Sequence, residues 1–437
     1  MIDRTAQPTI VALSSAPGRA GVAVLRVSGA RVRFVIETTA GLVPPPRQAT
    51  LRALRDRQGR VIDKGLVLFF PGPTSFTGED VVEFHVHGSR AVLAALLTHL
   101  TALPQVRLAE AGEFTRRAFE AGKLDLAAVE GLADLIDSET EWQRRQALRQ
   151  MDGALGTLAE QWRAQLLQAM TLLAAEIDFS DEGDVAGPLQ DEALDIAEAV
   201  LLSLRQALGS FAMGERVREG FVVVLAGPPN AGKSSLLNAL ARRDVAIVSP
   251  VAGTTRDALE VRLDLEGLPV LLMDTAGLRE STDPIEAEGV RRARALMERA
   301  DLVLGLRAID SEPYRIEQSQ SRIAVATKAD LGGTALPGER AISVRSGEGL
   351  PELLSAIVAH LRGLGQNEPA LLTRERHRVA VAAAIAALER ATRSRGGPSE
   401  LSAEDLRLAV SALERLVGRI GVEDVLDTLF AGFCIGK

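Results

Sequence analysis

The sequence predicts a multidomain α/β chain: a small N-terminal α+β domain, a discontinuous helical domain, and an inserted domain with a mostly parallel sheet. Three observations carry that reading. At 437 residues, and roughly 100–200 residues per domain, the chain has room for two to four domains. Its texture changes near residues 118, 217 and 368, from mixed strands and turns to helix, then to short strands alternating with helices, then back to helix. The run Phe221–Ala226 is apolar without alternation, as a strand covered on both faces of a parallel sheet should be.

In chain order, Ile10–Leu13 and Val22–Val27 read as strands around the turn Ala16-Pro17-Gly18-Arg19. Gly65–Phe70 and Val81–His87 read as two more around the loop Pro71–Asp80. Ser89–Leu103 is an apolar helix and completes a small domain over 1–118. Lys123–Arg149 and Leu155–Ile177 place apolar residues at three- and four-residue spacing, so 119–217 reads as helical, interrupted by Asp178–Asp184, a solvated acidic loop. Beyond Phe221–Ala226, short apolar runs at Val270–Met273, Leu302–Leu306, Ile323–Ala326 and Ala341–Val344 alternate with helical segments and give an α/β domain over 218–368. Residues 369–437 are helical again, with a break at Gly396-Gly397-Pro398-Ser399. Insertion of the α/β domain into one helical domain explains why the helical texture stops and resumes; two separate helical units are the other arrangement.

Composition narrows the function classes. Hydrophobic residues are 46% and charged residues 25% of the chain, the balance of an ordinary globular protein. Aromatics are 3%, so the cores must rest on Leu, Val, Ala and Ile. Fifty Lys and Arg against 58 Asp and Glu leave a charge of −8, which argues against non-specific nucleic-acid binding as the main task but permits a local basic patch. One cysteine, Cys434, excludes an intramolecular disulfide and a Cys-only zinc site, and fits a reducing cytoplasm. No unbroken apolar run reaches about 18 residues, so no membrane span is expected. The N-terminus, with Asp3 and Arg4, does not read as a secretory signal.

The strongest chemical signal is Gly227-Pro228-Pro229-Asn230-Ala231-Gly232-Lys233-Ser234-Ser235, between an apolar strand and the helix Leu236–Ala241. Glycines let the chain wrap tightly so that backbone N–H groups face phosphate, and the helix N-terminus adds its dipole. Lys233 is placed to reach the β- and γ-phosphates, as a catalytic as well as a binding group, and Ser234 to ligate magnesium. Asp274-Thr275-Ala276-Gly277 follows a strand, with Asp274 behind the magnesium and the Gly277 N–H toward the γ-phosphate. Between the two lies Gly253-Thr254-Thr255, whose hydroxyls suit a switch that completes metal coordination; alone such a triplet is a turn. Thr327-Lys328-Ala329-Asp330 selects the base. A carboxylate there accepts from guanine N1–H and the exocyclic amine, whereas adenine would leave it unpaired. Ser343-Val344-Arg345 would meet the base through backbone. Leu278 stands where many signalling GTPases carry a water-orienting Gln, so Glu286, Asp283 or Arg279 must supply a polar group.

Three further features have bland and functional readings. His85 and His87 alternate on one strand face without an evident third ligand, which favours a structural or ligand-contacting role over a metal site. Cys434 is either a nucleophile or a packed terminal thiol. Asn230 either caps the loop backbone or offers a hard carbonyl oxygen to a monovalent cation, which near the β–γ bridge would neutralise developing charge as an arginine finger does.

These motifs and their flanks resemble the tRNA-modification GTPase MnmE (TrmE) family over nearly the whole chain. The resemblance rests also on Ala16–Gly21, Leu25–Gly29, the run Ser75–Gly88 (SFTGEDVVEFHVHG), Gly112–Phe119, Gly122–Leu126, Ala133–Asp137, Ile177–Glu182 and the terminal Phe433–Lys437 (FCIGK). It implies an N-terminal folate-binding and dimerisation domain, a discontinuous helical domain and an inserted P-loop GTPase domain. It further implies a homodimer working with an FAD-dependent MnmG-like partner to place an aminomethyl or carboxymethylaminomethyl group on the C5 position of the wobble uridine of certain tRNAs. A tetrahydrofolate derivative, 5-formyl or methylene, supplies the carbon, and GTP hydrolysis depends on Mg2+ and K+.

By position, the resemblance assigns K+ to Asn230, Ser249, the Val251 carbonyl and Thr254, and Mg2+ to Ser234 and Thr255, within a nucleotide-contacting stretch that includes Pro250 and Ala252. Glu286 matches the glutamate that organises water. Arg26, Glu83, Lys123 and Lys437 match folate-binding positions, and Cys434 the cysteine of the C-terminal motif. The chain departs from the family at Pro228, where Arg is usual, at Ser249 for Thr, at Thr327 for Asn, at Val344 in the base loop, and at Ala111, where Pro is frequent. None removes a phosphate or metal group; Thr327 cannot supply an amide, so weaker guanine binding is expected. The alternative is a regulatory or ribosome-assembly GTPase, but such proteins append a basic RNA-binding module, and the segment appended here carries SFTGEDVVEFHVHG instead. A third reading, a folate-dependent transferase gated by GTP, overlaps the first.

Overall fold

The computed structural model describes residues 7–178, 189–243, 245–247, 260–274, 295–313, 321–365, 370–421, 423–433 and 435–436. The chain divides into two compact units: 1–130 with 414–437, and 131–413.

In the first unit, β1 (Thr9–Leu13) and β2 (Ala20–Ser28) are followed by α1 (Val32–Ala40), β3 (Thr50–Arg55), β4 (Val61–Phe70), β5 (Val81–Gly88), α2 (Arg90–Thr101), β6 (Val106–Leu108) and α3 (Glu113–Glu120). The strands form one sheet in the order β3-β4-β5-β2-β1-β6, antiparallel except for the β1–β6 pair. Helix α2 starts where the Ser89 hydroxyl accepts from the Val92 N–H, a cap worth about 1 kcal/mol. Alternation along each strand sends Val11, Leu25, Val27, Val67 and Phe84 to the core with Val35, Ile36, Leu96 and Leu100 of α1 and α2. On the opposite face, Ile10 and Ala12 pack with Ala109 and Phe114. That second face is where Arg26 and Glu83 stand.

The second unit contains α5 (Glu141–Met151), reached through α4 (Leu126–Ile136), then α6 (Ala154–Asp178), α7 (Leu189–Gly209) and α8 (Phe211–Glu219). The stretch Lys123–Arg149, read as helical, holds two helices, α4 and α5. The chain breaks before Thr140, whose hydroxyl accepts from the Gln143 N–H while the Gln143 side chain returns to the Thr140 N–H, a capping box that starts a new helix. The stretch Leu189–Glu219 is long and apolar enough, by length and composition, to cross a membrane. In this fold Ala193, Leu194, Ala197, Val200, Leu201 and Leu204 of α7 are buried, and α7 packs against α6 and α11 (Glu375–Arg393). It is a core helix of the bundle.

Between α8 and α11 runs a second sheet of β7 (Phe221–Ala226), β8 (Glu260–Leu265), β9 (Leu268–Asp274), β10 (Leu302–Ala308), β11 (Arg322–Thr327) and β12 (Glu339–Ala341), with helices α9 (Lys233–Ala241) and α10 (Leu350–Gly363). Strand order is β12-β11-β10-β7-β9-β8, parallel except for the β8–β9 hairpin at one edge. Its core joins Val223, Leu225, Leu272, Leu304 and Val325 to Leu236, Leu240 and Ile357 of the flanking helices. The strand expected over Ala341–Val344 ends at Ala341, because the next residues turn to serve the base loop. After α11 the chain continues through α12 (Ser399–Val417), broken from it at Gly396 and Gly397, and α13 (Glu423–Ala431). The last segment belongs to the first unit: Phe430 packs where a Cβ on Gly112 would sit, the Arg116 guanidinium lies 5.0 Å from the Phe430 ring, and the Ser14 hydroxyl donates to the Gly436 carbonyl at 2.9 Å.

Candidate functional site

The carboxyl ends of β7, β9 and β11 converge on one open cavity of about 590 Å³ lined by Pro229, Asn230, Gly232, Lys233, Ser234, Ser235 and Lys328, a volume suited to a nucleotide-sized ligand. The loop that forms its floor leaves β7 at Gly227. A Cβ there would lie 2.2 Å from the Leu306 carbonyl oxygen, so only glycine lets β7 and β10 run this close. Asn230 takes φ +59°, a left-handed conformation that asparagine tolerates better than most residues. Gly232 takes φ +89° as the residue before α9. The two prolines, Pro228 and Pro229, stiffen the span between these turns.

Lys233 is 6% exposed and arches back over the loop, donating to the carbonyls of Gly227 at 2.9 Å and Pro228 at 3.0 Å. A phosphate in this loop would compete with the two carbonyls for the ammonium's N–H donors. Ser234 donates to Asp274 Oδ2 at 2.7 Å. The parallel pairing of β7 and β9 produces this contact, since it brings the end of β9 beside the start of α9. A hydroxyl and a buried carboxylate in contact are hard oxygen donors of the kind magnesium takes in phosphate-loop proteins.

Thr327 contributes something the sequence reading did not foresee. Its hydroxyl donates to the Ala231 carbonyl at 2.7 Å and lies 3.3 Å from the Arg307 carbonyl. The residue that lacks a base-directed amide therefore ties the base loop to the phosphate loop. Lys328 follows at φ +61° and enters the cavity wall. Asp330 Oδ1 accepts from the Ser343 hydroxyl at 2.7 Å, and Ser343 is itself pinned by backbone bonds with Glu348 and Gly347. That donated hydrogen bond, with the positive charge of Arg345 nearby, holds the Asp330 carboxyl below the ordinary carboxylate range. The Ser343 hydrogen bond thus both favours the ionised carboxylate and fixes its orientation. Val344 is half-buried and Arg345 exposed. Ser249, Pro250, Val251, Ala252, Gly253, Thr254, Thr255, Thr275, Ala276, Gly277, Leu278, Arg279, Asp283, Glu286, Cys434 and Lys437 lie outside the described residues.

A second polar patch occupies the sheet of the first unit. Arg26 on β2 and Glu83 on β5 are direct cross-strand partners. The guanidinium donates to Glu83 Oε1 at 2.9–3.0 Å, and His85 Nε2 lies 3.1 Å from Glu83 Oε2. Arg26 also stands 5.8 Å from the Phe114 ring and 5.9 Å from the Phe76 ring, within cation–π range. Lys123 is exposed, and its Cε lies 3.8 Å from where a Cβ on Gly78 would project. The two histidines are used separately: His87 Nδ1 sits 2.9 Å from Asp63 Oδ1, away from Glu83. Among the described residues no group of three His, Cys, Asp or Glu is placed to hold a metal.

The same unit holds an ionic chain that the sequence reading missed, largely buried at Glu113, Arg117 and Glu79 and open to solvent at Arg107. Arg107 donates to Glu113, Arg117 donates to both Glu113 and Glu79, and Ser28 donates to Glu79 Oε2 at 2.6 Å. Burial disfavours the charged form of Glu113, but the Arg107 and Arg117 guanidiniums and the Glu110 N–H outweigh it and keep the carboxyl below its ordinary range. The signal was present as Glu113 and Arg117 at helical i,i+4 spacing; Arg107 lies only six residues before Glu113, on β6, but Glu79 comes from the loop between β4 and β5, 38 positions before Arg117, and cannot be read locally.

Comparison with known proteins agrees with this geometry. Residues 9–123 match the family model described as GTP-binding protein TrmE N-terminus, and residues 126–434 the model described as MnmE helical domain. Three relatives each described as tRNA modification GTPase MnmE cover 98% of this chain. That of Beijerinckia indica is 54% identical with 96% of its own length covered, that of Methylobacterium radiotolerans 52% with 99%, and that of Bradyrhizobium sp. BTAi1 50% with 99%. Matched over nearly its whole length by these models and relatives, the chain belongs to the MnmE family of tRNA modification GTPases.

Proposed function

We propose that this GTPase works with an FAD-dependent MnmG-like protein to add an aminomethyl or carboxymethylaminomethyl group at C5 of the wobble uridine of certain tRNAs, drawing its carbon from a tetrahydrofolate derivative. The observation that carries the GTPase half is the convergence of Lys233, the Ser234–Asp274 pair and Lys328 on one cavity. Ser234, with Thr255, would hold Mg2+, which would neutralise charge on the β- and γ-phosphates. Asn230, Ser249, the Val251 carbonyl and Thr254 would hold K+, a cation able to offset charge developing near the β–γ bridge. Lys233 binds the phosphates, and Glu286 orients the attacking water in place of the Gln that Leu278 replaces.

The folate half rests on Arg26 and Glu83, with Lys123 and Lys437. A folate presents a carboxylated tail and a pterin edge with adjacent N–H donors, so cations and one fixed carboxylate together suit it. In this reading residues 1–118 form the folate-binding and dimerisation domain of a homodimer, 218–368 the inserted GTPase domain, and 119–217 with 369–437 the helical domain. Cys434 stands as a candidate nucleophile.

The test is GTP hydrolysis in matched sodium and potassium buffers. Wild type should turn over faster in potassium. Asn230→Ala should lose both that response and nucleotide-dependent association measured by light scattering. Glu286→Ala should associate with a transition-state mimic but hydrolyse poorly. Equal rates in the two salts would contradict the cation mechanism.

A further inference from the structure

The loop between β4 and β5 is built in an unusual way for a surface loop. The Arg47 guanidinium donates to the Thr74 carbonyl and hydroxyl at 2.8 and 3.1 Å. The Ser75 hydroxyl donates to the Glu79 carbonyl, and the Gly72 N–H donates to Asp80 Oδ1 at 2.9 Å. Thr77 is buried with its hydroxyl 2.7 Å from that of Ser28, which donates onward to Glu79, which accepts from Arg117. The residues on both sides of Phe76 are thus fixed inside the unit, while Phe76 itself is turned out and left 39% exposed. A single exposed apolar residue needs no explanation. One held outward by a buried network of charges does, because burying those charges is costly and, unlike apolar packing, fixes one geometry.

We propose that Phe76 is a ligand-contacting residue of the Arg26–Glu83 patch: its ring is the wall on which a planar nitrogen heterocycle stacks while Glu83 reads the heterocycle's N–H edge. Arg26 and Glu83 stand side by side, and the Arg26 guanidinium lies 5.9 Å from the Phe76 ring and 5.8 Å from the ring of the buried Phe114. Glu83 is oriented at both oxygens: Oε1 takes two contacts from the Arg26 guanidinium, while Oε2 meets only His85 and keeps a lone pair for the ligand. Face and edge of a flat ligand are then met by different groups, and the chain Thr77–Ser28–Glu79–Arg117 is the support that keeps the wall in place. This assignment rests on the folate reading of the patch, and deepens it by naming the surface that takes the ring's face.

The test is calorimetry of the full chain with 5-formyltetrahydrofolate, comparing wild type with Phe76→Ala, Phe76→Trp and Glu83→Ala, with sedimentation to follow self-association. Phe76→Ala should weaken binding by roughly tenfold or more, the scale of losing one heterocycle–aromatic stack. Phe76→Trp should bind within about threefold of wild type, because a ring remains. If Glu83→Ala weakens binding and Phe76→Ala does not, the stacking assignment is wrong and the folate reading stands. If wild type fails to bind, both are wrong. If Phe76→Ala loses affinity only in step with self-association, the ring serves contact between copies and the assignment is also wrong.

Discussion

At the phosphate loop the chain presents backbone. Gly227, Asn230 and Gly232 all take positive φ so that successive peptide groups curve around one point, and Lys233 folds back onto its own loop. At the Arg26–Glu83 patch the backbone is an ordinary antiparallel ladder, and everything presented to solvent is side chain, set by strand register and braced by ions from α3. The first kind of site is written within nine consecutive residues. The second is assembled from positions 26, 76, 83, 85 and 114, of which only Glu83 and His85, two apart on β5, are joined by a local spacing. The difference teaches where each should be fragile: the phosphate loop to added atoms, the patch to lost charges and rings.

Gly227→Val breaks the comparison most severely. A side chain at that position meets the Leu306 carbonyl, so GTP affinity should fall on the order of a hundredfold or more, about 2.7 kcal/mol, while 5-formyltetrahydrofolate binding by calorimetry stays at the wild-type value. Asp330→Asn comes next. Guanine's two donors lose a charged acceptor, each such bond being worth about 1.5–3 kcal/mol, and nucleotide titration should show well over a tenfold loss with the fold unchanged by circular dichroism. Glu83→Ala is the reciprocal case: roughly tenfold weaker folate binding, from loss of a charge-assisted bond, with GTP affinity untouched. A variant of either site that weakened both ligands would show that the two are coupled.

Thr327→Val sharpens the account of the base loop. It keeps the shape and removes the hydroxyl that donates to Ala231, leaving a carbonyl without that donor at a cost of about 1 kcal/mol, or roughly fivefold in GTP affinity; Thr327→Ser should restore it. The smallest effect is a shift in pH. Ser343 holds the Asp330 carboxyl below the ordinary carboxylate range, and in the proposed base site the ionised form is the one that would accept from guanine. Base recognition is therefore fully present at and above the ordinary carboxylate pKa and is lost only as pH falls through the lowered value. Ser343→Ala should move that acid limb of GTP binding upward, toward the ordinary range.

What was legible in the sequence follows the same division. The strand Phe221–Ala226 and the helix break at Gly396 are found where apolar runs and glycine punctuation put them, because both are local signals. Lys233 and Ser234 of the phosphate-loop motif line one cavity, and Asp274 of the Asp-Thr-Ala-Gly motif lies against Ser234. Edge strand β8 was missed although Glu260–Leu265 alternates polar and apolar residues, and the break before α5 was missed although Thr140 and Gln143 spell a capping box. Those signals were present and outweighed by longer patterns. Phe76 was different in kind. Nothing within its own segment says that Ser75 and Thr77 are buried and the ring between them is not; that follows from partners at positions 28, 47 and 117. Thr327 was legible as a departure but not as a brace, because its acceptor at Ala231 lies 96 positions away.

The claim on which the rest depends is that GTP turnover at this phosphate loop serves modification of the wobble uridine. Mass analysis of wobble nucleosides in tRNA from a strain lacking the protein tests it directly, with wild-type and Asp274→Ala chains supplied back. The account predicts that the C5-aminomethyl or carboxymethylaminomethyl nucleoside disappears in the deletion strain, returns with the wild-type chain and does not return with Asp274→Ala. Unchanged nucleosides in the deletion strain, or full recovery with Asp274→Ala, would contradict it.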